Sequence, residues 1–284
     1  MTVAPETFRY RLSGPAGSVF PGAHPGQMVS SGQLFKRHEP LIAAPDPRRI
    51  DLRASVLDPF GGYQVRVYQQ KSTLDVYLIA DLSASMSFSG RSNKQRILVD
   101  FLLSAASSAL GYGDSFGFIG CGRQLEQRWL LPGCRQMGRI RALAKSLENH
   151  VFAQGCESLA QTARFLPASR ALVFLLSDFH FGMDRLQNLM YALNRHDVIP
   201  LVLWDSAEYG DLPPWGLIKY RDMENGSMRT LFMRPALRQK IVRAFEQRRR
   251  QLQQAFRAFG AEPLFIDGDY RAERIDHYFQ QRAA

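Results

Sequence analysis

The sequence predicts a doubly wound, mostly parallel α/β sheet with an extended N-terminal arm. Nearly continuous apolar runs at Leu74–Ala80 (LDVYLIA), Ala171–Ser177 (ALVFLLS) and Val198–Trp204 (VIPLVLW) fit strands covered on both faces. Segments of helical periodicity separate these runs, which is the pattern of a parallel sheet with helical crossovers. The first seventy residues differ. They are rich in Pro and Gly (Pro15, Pro21, Gly22, Pro25, Gly26, Pro40, Pro45, Pro47) and carry little periodicity. Two regions follow: an arm over 1–70 with short strands packing on the main domain, and an α/β domain over 71–284.

Within the arm, the alternation of Tyr63–Tyr68 (YQVRVY) predicts a short strand. After the first core strand, a helix is expected from Lys94 to Leu110, with Ile97, Leu98, Phe101, Leu102 and Ala105 on one face. Strands fit Phe116–Gly120 and Gln127–Leu131, joined through Gly122, and helices fit Met137–Leu147 and Leu159–Leu166. A helix over Arg185–Asn194 follows the fourth main strand. Beyond the fifth, a hairpin is expected from Leu217–Met223 and Met228–Phe232, turning at Asn225-Gly226. A long Arg/Gln-rich helix spans Pro235–Phe259, with proline suited to its first turn. A strand at Leu264–Ile266 and a helix to Phe279 close the pattern.

Composition narrows the function classes. Of 284 residues, 45% are hydrophobic and 22% charged, the balance of a protein with a buried core. The start, MTVAPETFRYRLSG, has no apolar segment of the secretory kind, and no run of eighteen apolar residues exists to span a membrane. Cys121, Cys134 and Cys156 form neither a metal-ligand spacing nor a disulfide framework, which suits a reducing compartment. The expectation is a soluble, cytoplasmic protein. The net charge of +10 comes mostly from arginine. A basic surface of this kind attracts nucleic acid, anionic lipid or an acidic protein face. The densest cluster lies on the long helix (Arg238, Arg243, Arg248, Arg249, Arg250, Arg257), whose Leu237, Ile241, Phe245, Leu252 and Phe256 form the opposite, docked stripe. A solvated basic face is the favoured reading, an acidic-partner surface the second, and nucleic-acid binding the third, because no recognised module accompanies the charge.

The residues that carry chemistry stand at strand ends, where open α/β sheets bind ligands. Asp81-Leu82-Ser83-Ala84-Ser85 follows the first apolar strand, and Asp178 ends the fourth. In a sheet of order 3-2-1-4-5 these strands are neighbours, so Asp81 and Asp178 approach each other and repel unless a cation or proton lies between them. One carboxylate with two hydroxyls is a hard oxygen set of the kind Mg²⁺ takes. Such residues also serve to cap helices and finish strands. No enzyme is expected. Gly113-Asp-Ser115-Phe-Gly117 matches a nucleophile elbow, yet a helix precedes it and a strand follows, the reverse of the order an elbow needs. The six histidines show no ligand spacing, although His180 could face the site. Neither a P-loop nor G-x-G-x-x-G is present.

DLSASM (81–86) together with the Ser177-Asp178 strand end resembles the metal-ion-dependent adhesion site of von Willebrand factor A domains. Upstream, DPRRIDLRAS (46–55) resembles a motif of the bacterial family called domain of unknown function 58, and the likeness extends over about residues 30–205. That resemblance implies a von Willebrand factor A-type fold and a protein-interaction role. It also implies a MoxR-type AAA+ ATPase as partner, and in the MxaS-like branch a metalloenzyme client such as methanol dehydrogenase during maturation. Many relatives carry membrane helices. The implied Mg²⁺ contacts are Asp81, Ser83, Ser85, Asp178 and a threonine on the intervening loop. Here the chain departs from the pattern: Cys156 follows Gly155 where threonine is expected, and a thiol is a poor Mg²⁺ ligand. Ser158 replaces it only if the loop shifts. The alternative function is a basic nucleic-acid-binding protein working through the Arg-rich helix.

Overall fold

The computed structural model describes residues 5–14, 21–43, 45–152, 155–221 and 228–282. They form two compact units, Leu12–Leu74 and Met1–Arg11 with Asp75–Ala284.

In the smaller unit, β1 (Pro21–Pro40) pairs antiparallel with β2 (Gln64–Ser72), and α1 (Leu52–Val56) lies between them in the chain. The long first strand was not foreseen. Its pairing with β2 is irregular, with register shifts between Pro25 and Val29 and between Val29 and Leu34, so no alternation marks it in sequence. Glycine is required at Gly22, where a Cβ would stand 2.2 Å from the Thr73 amide nitrogen. The DPRRIDLRAS motif has a structural role here. Asp51 caps α1 by accepting from the amides of Arg53 and Ala54, and its second oxygen accepts from Arg66 Nε at 2.7 Å. That arginine holds the Asp51 carboxyl well below the usual carboxylate range. Ser55 completes the clip, donating to the Asp51 carbonyl and accepting from the Gln64 amide that opens β2.

The larger unit is a doubly wound, mostly parallel α/β sheet. Its elements are β3 (Asp75–Asp81), α2 (Lys94–Gly111), β4 (Ser115–Cys121), β5 (Leu130–Cys134), α3 (Met137–Glu148), β6 (Leu172–Ser177), α4 (Met183–Ala192), β7 (Asp197–Leu203), β8 (Gly216–Arg221), β9 (Met228–Met233), α5 (Pro235–Arg257), β10 (Leu264–Ile266) and α6 (Ala272–Gln281). The central sheet runs β10-β7-β6-β3-β4-β5, parallel except for β5, which is antiparallel to β4. β3 and β6, the first and fourth core strands, are adjacent, with Tyr77 opposite Val173. Alternate residues of β6 supply two cores. Phe174 meets Phe101 of α2 and Phe279 of α6 on one face, while Val173 and Leu175 pack with Leu186 and Leu189 of α4 and Leu252 and Phe256 of α5 on the other.

Residues 5–11, read in sequence as part of the arm, belong with this unit. Phe8 stacks on Phe101 at 5.9 Å and meets Phe174 edge-on at 5.8 Å, so aromatic burial fixes the segment. Two element readings need correction. Gln127–Trp129 is a 3₁₀ turn ahead of β5, not the start of a strand. Glu157–Phe165 is 3₁₀, not α-helical; within it the Thr162 hydroxyl donates to the Leu159 carbonyl three residues back, and the Leu166 amide closes it on the Ala163 carbonyl. β8 and β9 pair as expected, while the turn at Asn225-Gly226 lies outside the described residues. Among the described residues, no helix is long and apolar enough to cross a membrane.

Candidate functional site

Parallel β3, β4, β6 and β7 all end on one edge of the sheet, and the polar residues gather there. Asp81 closes β3 and is fully buried, so it belongs to the packed edge and not to a loop beyond the strand. Its Oδ1 accepts from the Ser83 amide at 2.9 Å and its Oδ2 from Ser177 Oγ at 2.7 Å. Ser83 and Ser85 hydroxyls lie 3.2 Å apart, and Ser85 bonds in turn to Asp178. Asp178 follows β6, also buried. Its Oδ1 accepts from the His180 amide at 3.3 Å, and its carbonyl accepts from Trp204 Nε1 at 2.8 Å. Between them Phe179 adopts φ 53°, unusual for a bulky residue, with its amide donating to Ser177 Oγ.

Sequence reading missed the residue that completes the cluster. Lys94, first residue of α2, is buried, and its Nζ lies 3.1 Å from Asp178 Oδ2 and 2.6 Å from Glu208 Oε1. Asp205, beyond β7, positions both partners. It accepts from the Ser92 amide and hydroxyl at 2.8 and 3.0 Å and from the Ala207 amide at 2.8 Å, joining the α2 entrance to the turn that carries Glu208. Asp205 did carry a signal, since it follows an apolar strand as Asp81 and Asp178 do. Lys94 carried none.

The electrostatics follow from this arrangement. Burial, reinforced by the Asp178 charge, pushes the Asp81 carboxyl up to about 6. Burial, the largest influence, works against ionised Asp178, but Lys94, His180 and the hydrogen bonds from Ser85 and Lys94 together outweigh it and hold that carboxyl below its ordinary value. For Lys94 burial disfavours the charge, and Asp178 and Glu208 more than restore it, so its value is raised. His180 is likewise raised: burial opposes protonation, while Glu208 and Asp178 favour it.

All five residues that the sequence pointed to, Asp81, Ser83, Ser85, Cys156 and Asp178, are therefore neighbours. Cys156 stands against Asp81 and directs its thiol at the Cys121 carbonyl, 3.6 Å away. Ser158 does not replace it, because its hydroxyl donates to the Gly122 carbonyl at 2.7 Å. As arranged, these residues do not fit an added Mg²⁺. An ion on Asp178 Oδ2, at its usual ~2.1 Å, would stand at most about 5 Å from the Lys94 ammonium. At an effective dielectric of about 20 that repulsion is on the order of 6 kcal/mol, which offsets a large part of the attraction the Asp178 carboxylate offers the ion. Among the described residues, no three His, Cys, Asp or Glu side chains converge as a metal-binding group.

Ser115 opens β4 at the opposite edge of the sheet, with its hydroxyl donating to Asp75. On α5, four arginines are engaged within the chain. Arg248 donates to the Phe179 and Phe181 carbonyls, Arg249 covers the Phe265 ring at 4.4 Å, Arg257 pairs with Glu262, and Arg238 reaches the Gly210 carbonyl. Much of the basic helix thus serves the fold.

The chain resembles known proteins over most of its length. It is 25% identical over 268 residues to the uncharacterized protein Rv1480 of Mycobacterium tuberculosis, a match covering 90% of this chain and 78% of that one. It is 32% identical over 104 residues to the "uncharacterized protein in moxR 3'region" of Paracoccus denitrificans, covering 37% of this chain and 99% of that one. Among solved structures, the VWA domain of SpRpn10 aligns with a TM-score of 0.40 at 12% identity, over 72% of this chain and 95% of that domain. The model of the family described as "protein of unknown function DUF58" matches residues 46–251, and the chain belongs to that family.

Proposed function

We propose that this chain is a non-catalytic protein-interaction domain that works with a MoxR-type AAA+ ATPase. The observation that carries the reading is the similarity to the Paracoccus protein, whose printed name places it in the moxR 3′ region. The clustered edge supports it. Hydroxyls and carboxylates from β3, β6 and the loops beyond them converge, and Ser85 is the half-exposed member through which a partner would reach them. The client is then a protein that the ATPase remodels, a metalloenzyme such as methanol dehydrogenase in the branch that the sequence resembles.

Binding of a MoxR-type ATPase from the same organism to the immobilised full chain, with ATP and with ADP, tests this reading. Saturable binding is expected, and Ser85→Arg should weaken it at least about tenfold, about 1.4 kcal/mol, by placing a bulky cation on the edge. Arg243→Glu on α5 should change little. No binding by the wild type, or equal binding by Ser85→Arg, would refute the proposal.

A further inference from the structure

Lys94 sits where a cation is disfavoured twice over. It opens α2, whose N-terminal end carries positive partial charge, and its side chain is 2% exposed, where an unpaired ammonium is strongly destabilised. What holds it is the pair of carboxylates at 3.1 and 2.6 Å from Asp178 and Glu208. Asp178 is one of two acidic residues that meet where β3 and β6 end side by side. A positive charge therefore already stands among the oxygens that resemble a metal site, and it is part of the chain.

We propose that Lys94 supplies from within the positive charge that a bound divalent ion supplies in a metal-ion-dependent adhesion site. The site then neither needs nor takes up Mg²⁺ while Lys94 is in place. Three further observations agree. Every carboxylate oxygen of Asp81 and Asp178 already accepts from a protein donor: Ser83 N, Ser177 Oγ, His180 N and Lys94 Nζ. The position where the resemblance implies a hard hydroxyl holds the soft thiol of Cys156 instead. Lys94 is also fixed in place, because Asp205 ties Ser92, two residues before it, to the turn that carries Glu208.

A structural ion pair with no relation to metal would show the same distances, and cation rescue separates the two. The full-length protein and its Lys94→Ala variant are titrated with Mn²⁺ by calorimetry and melted with and without millimolar Mn²⁺. The wild type should give no binding heat and an unchanged Tm. Lys94→Ala should melt lower, bind Mn²⁺ saturably and regain several degrees of Tm on its addition. Asp178→Asn in the Lys94→Ala background should abolish both effects. Saturable Mn²⁺ binding by the wild type overturns the proposal, as does a folded Lys94→Ala that ignores Mn²⁺.

If Lys94→Ala does not fold alone, it is refolded with Mn²⁺ present. The double variant Lys94→Ala/Glu208→Gln, which removes one stranded carboxylate, is titrated alongside. Folding that depends on Mn²⁺, or binding by the double variant, supports the substitution of charge; failure of both overturns it. No partner enters these measurements, so their outcome is separate from that of the interaction reading.

Discussion

Asp81→Asn replaces a buried carboxyl by an amide of nearly the same shape and should stabilise the protein, but only above a definable pH. The wild-type carboxyl is carried from near 4 to about 6, first by burial and then by the neighbouring Asp178 charge. Its folded value thus lies above its unfolded one. Between these values the folded state binds the extra proton, so the Asp81 contribution favours folding at low pH and is lost as pH rises through the window from about 4 to 6. By pH 7.5 the accumulated cost is about 3 kcal/mol. The amide has no such titration. It can still accept from the Ser83 amide, and the Ser177 hydroxyl can turn to accept from the new NH₂. Urea unfolding of both proteins at several pH values between 4 and 8 reads the difference directly. The variant should gain up to about 3 kcal/mol at pH 7.5 relative to wild type, and the gain should vanish near pH 4. A gain independent of pH, or a variant less stable than wild type at pH 7.5, would show that the shift is not a property of the folded site.

Phe8→Ala should destabilise the protein by about 3–5 kcal/mol, because the ring is buried between Phe101 and Phe174. A loss below about 1 kcal/mol in a thermal melt would contradict that packing. Native protein should show one fast thiol toward an aromatic disulfide reagent. Cys134 is partly exposed, whereas Cys121 and Cys156 are buried and burial pushes both thiols far up. Three fast thiols would refute this. Cys156→Thr alone should give no calorimetric Mg²⁺ binding, since it adds a hard ligand without removing the Lys94 charge; saturable binding would mean that the missing hydroxyl was the obstacle.

Much of the fold was legible because the core strands are buried on both faces and so appear as unbroken apolar runs. β6 needs no partner to be recognised: all six of its residues are buried. β1 was illegible for the converse reason: its pairing with β2 slips repeatedly, so no period of two survives in its sequence. The 3₁₀ segment Glu157–Phe165 reads in sequence as a helix over Leu159–Leu166 because Leu159 and Thr162, three apart, share a buried face in either geometry. Asp81 and Asp178 were legible as strand ends. Lys94 was not, since it lies 84 positions from Asp178 and 114 from Glu208, and a lone lysine at a helix start looks like any solvated one.

The composition of the edge bears on why it is built this way. Asp81, Lys94, Asp178 and Asp205 are all buried at one end of the sheet, and each loses hydration that its partners must replace. Apolar side chains of similar volume would serve stability as well or better, by as much as about 1–4 kcal/mol for a buried pair. What the ionic arrangement gives, and an apolar one could not, is a fixed set of charges whose positions are locked to one another. The Asp205 bonds to Ser92 and Ala207 set Lys94 against Glu208, Lys94 sets Asp178, and Ser177 spans from β6 to Asp81. Substitution at one member should therefore be felt at the others. Asp205→Ala, which touches neither Asp81 nor Asp178, should loosen the Lys94–Asp178 pair and let the Asp178 carboxyl rise toward its ordinary value. Carboxyl NMR titration reads this, and an unchanged Asp178 would mean that the members of the cluster are independent.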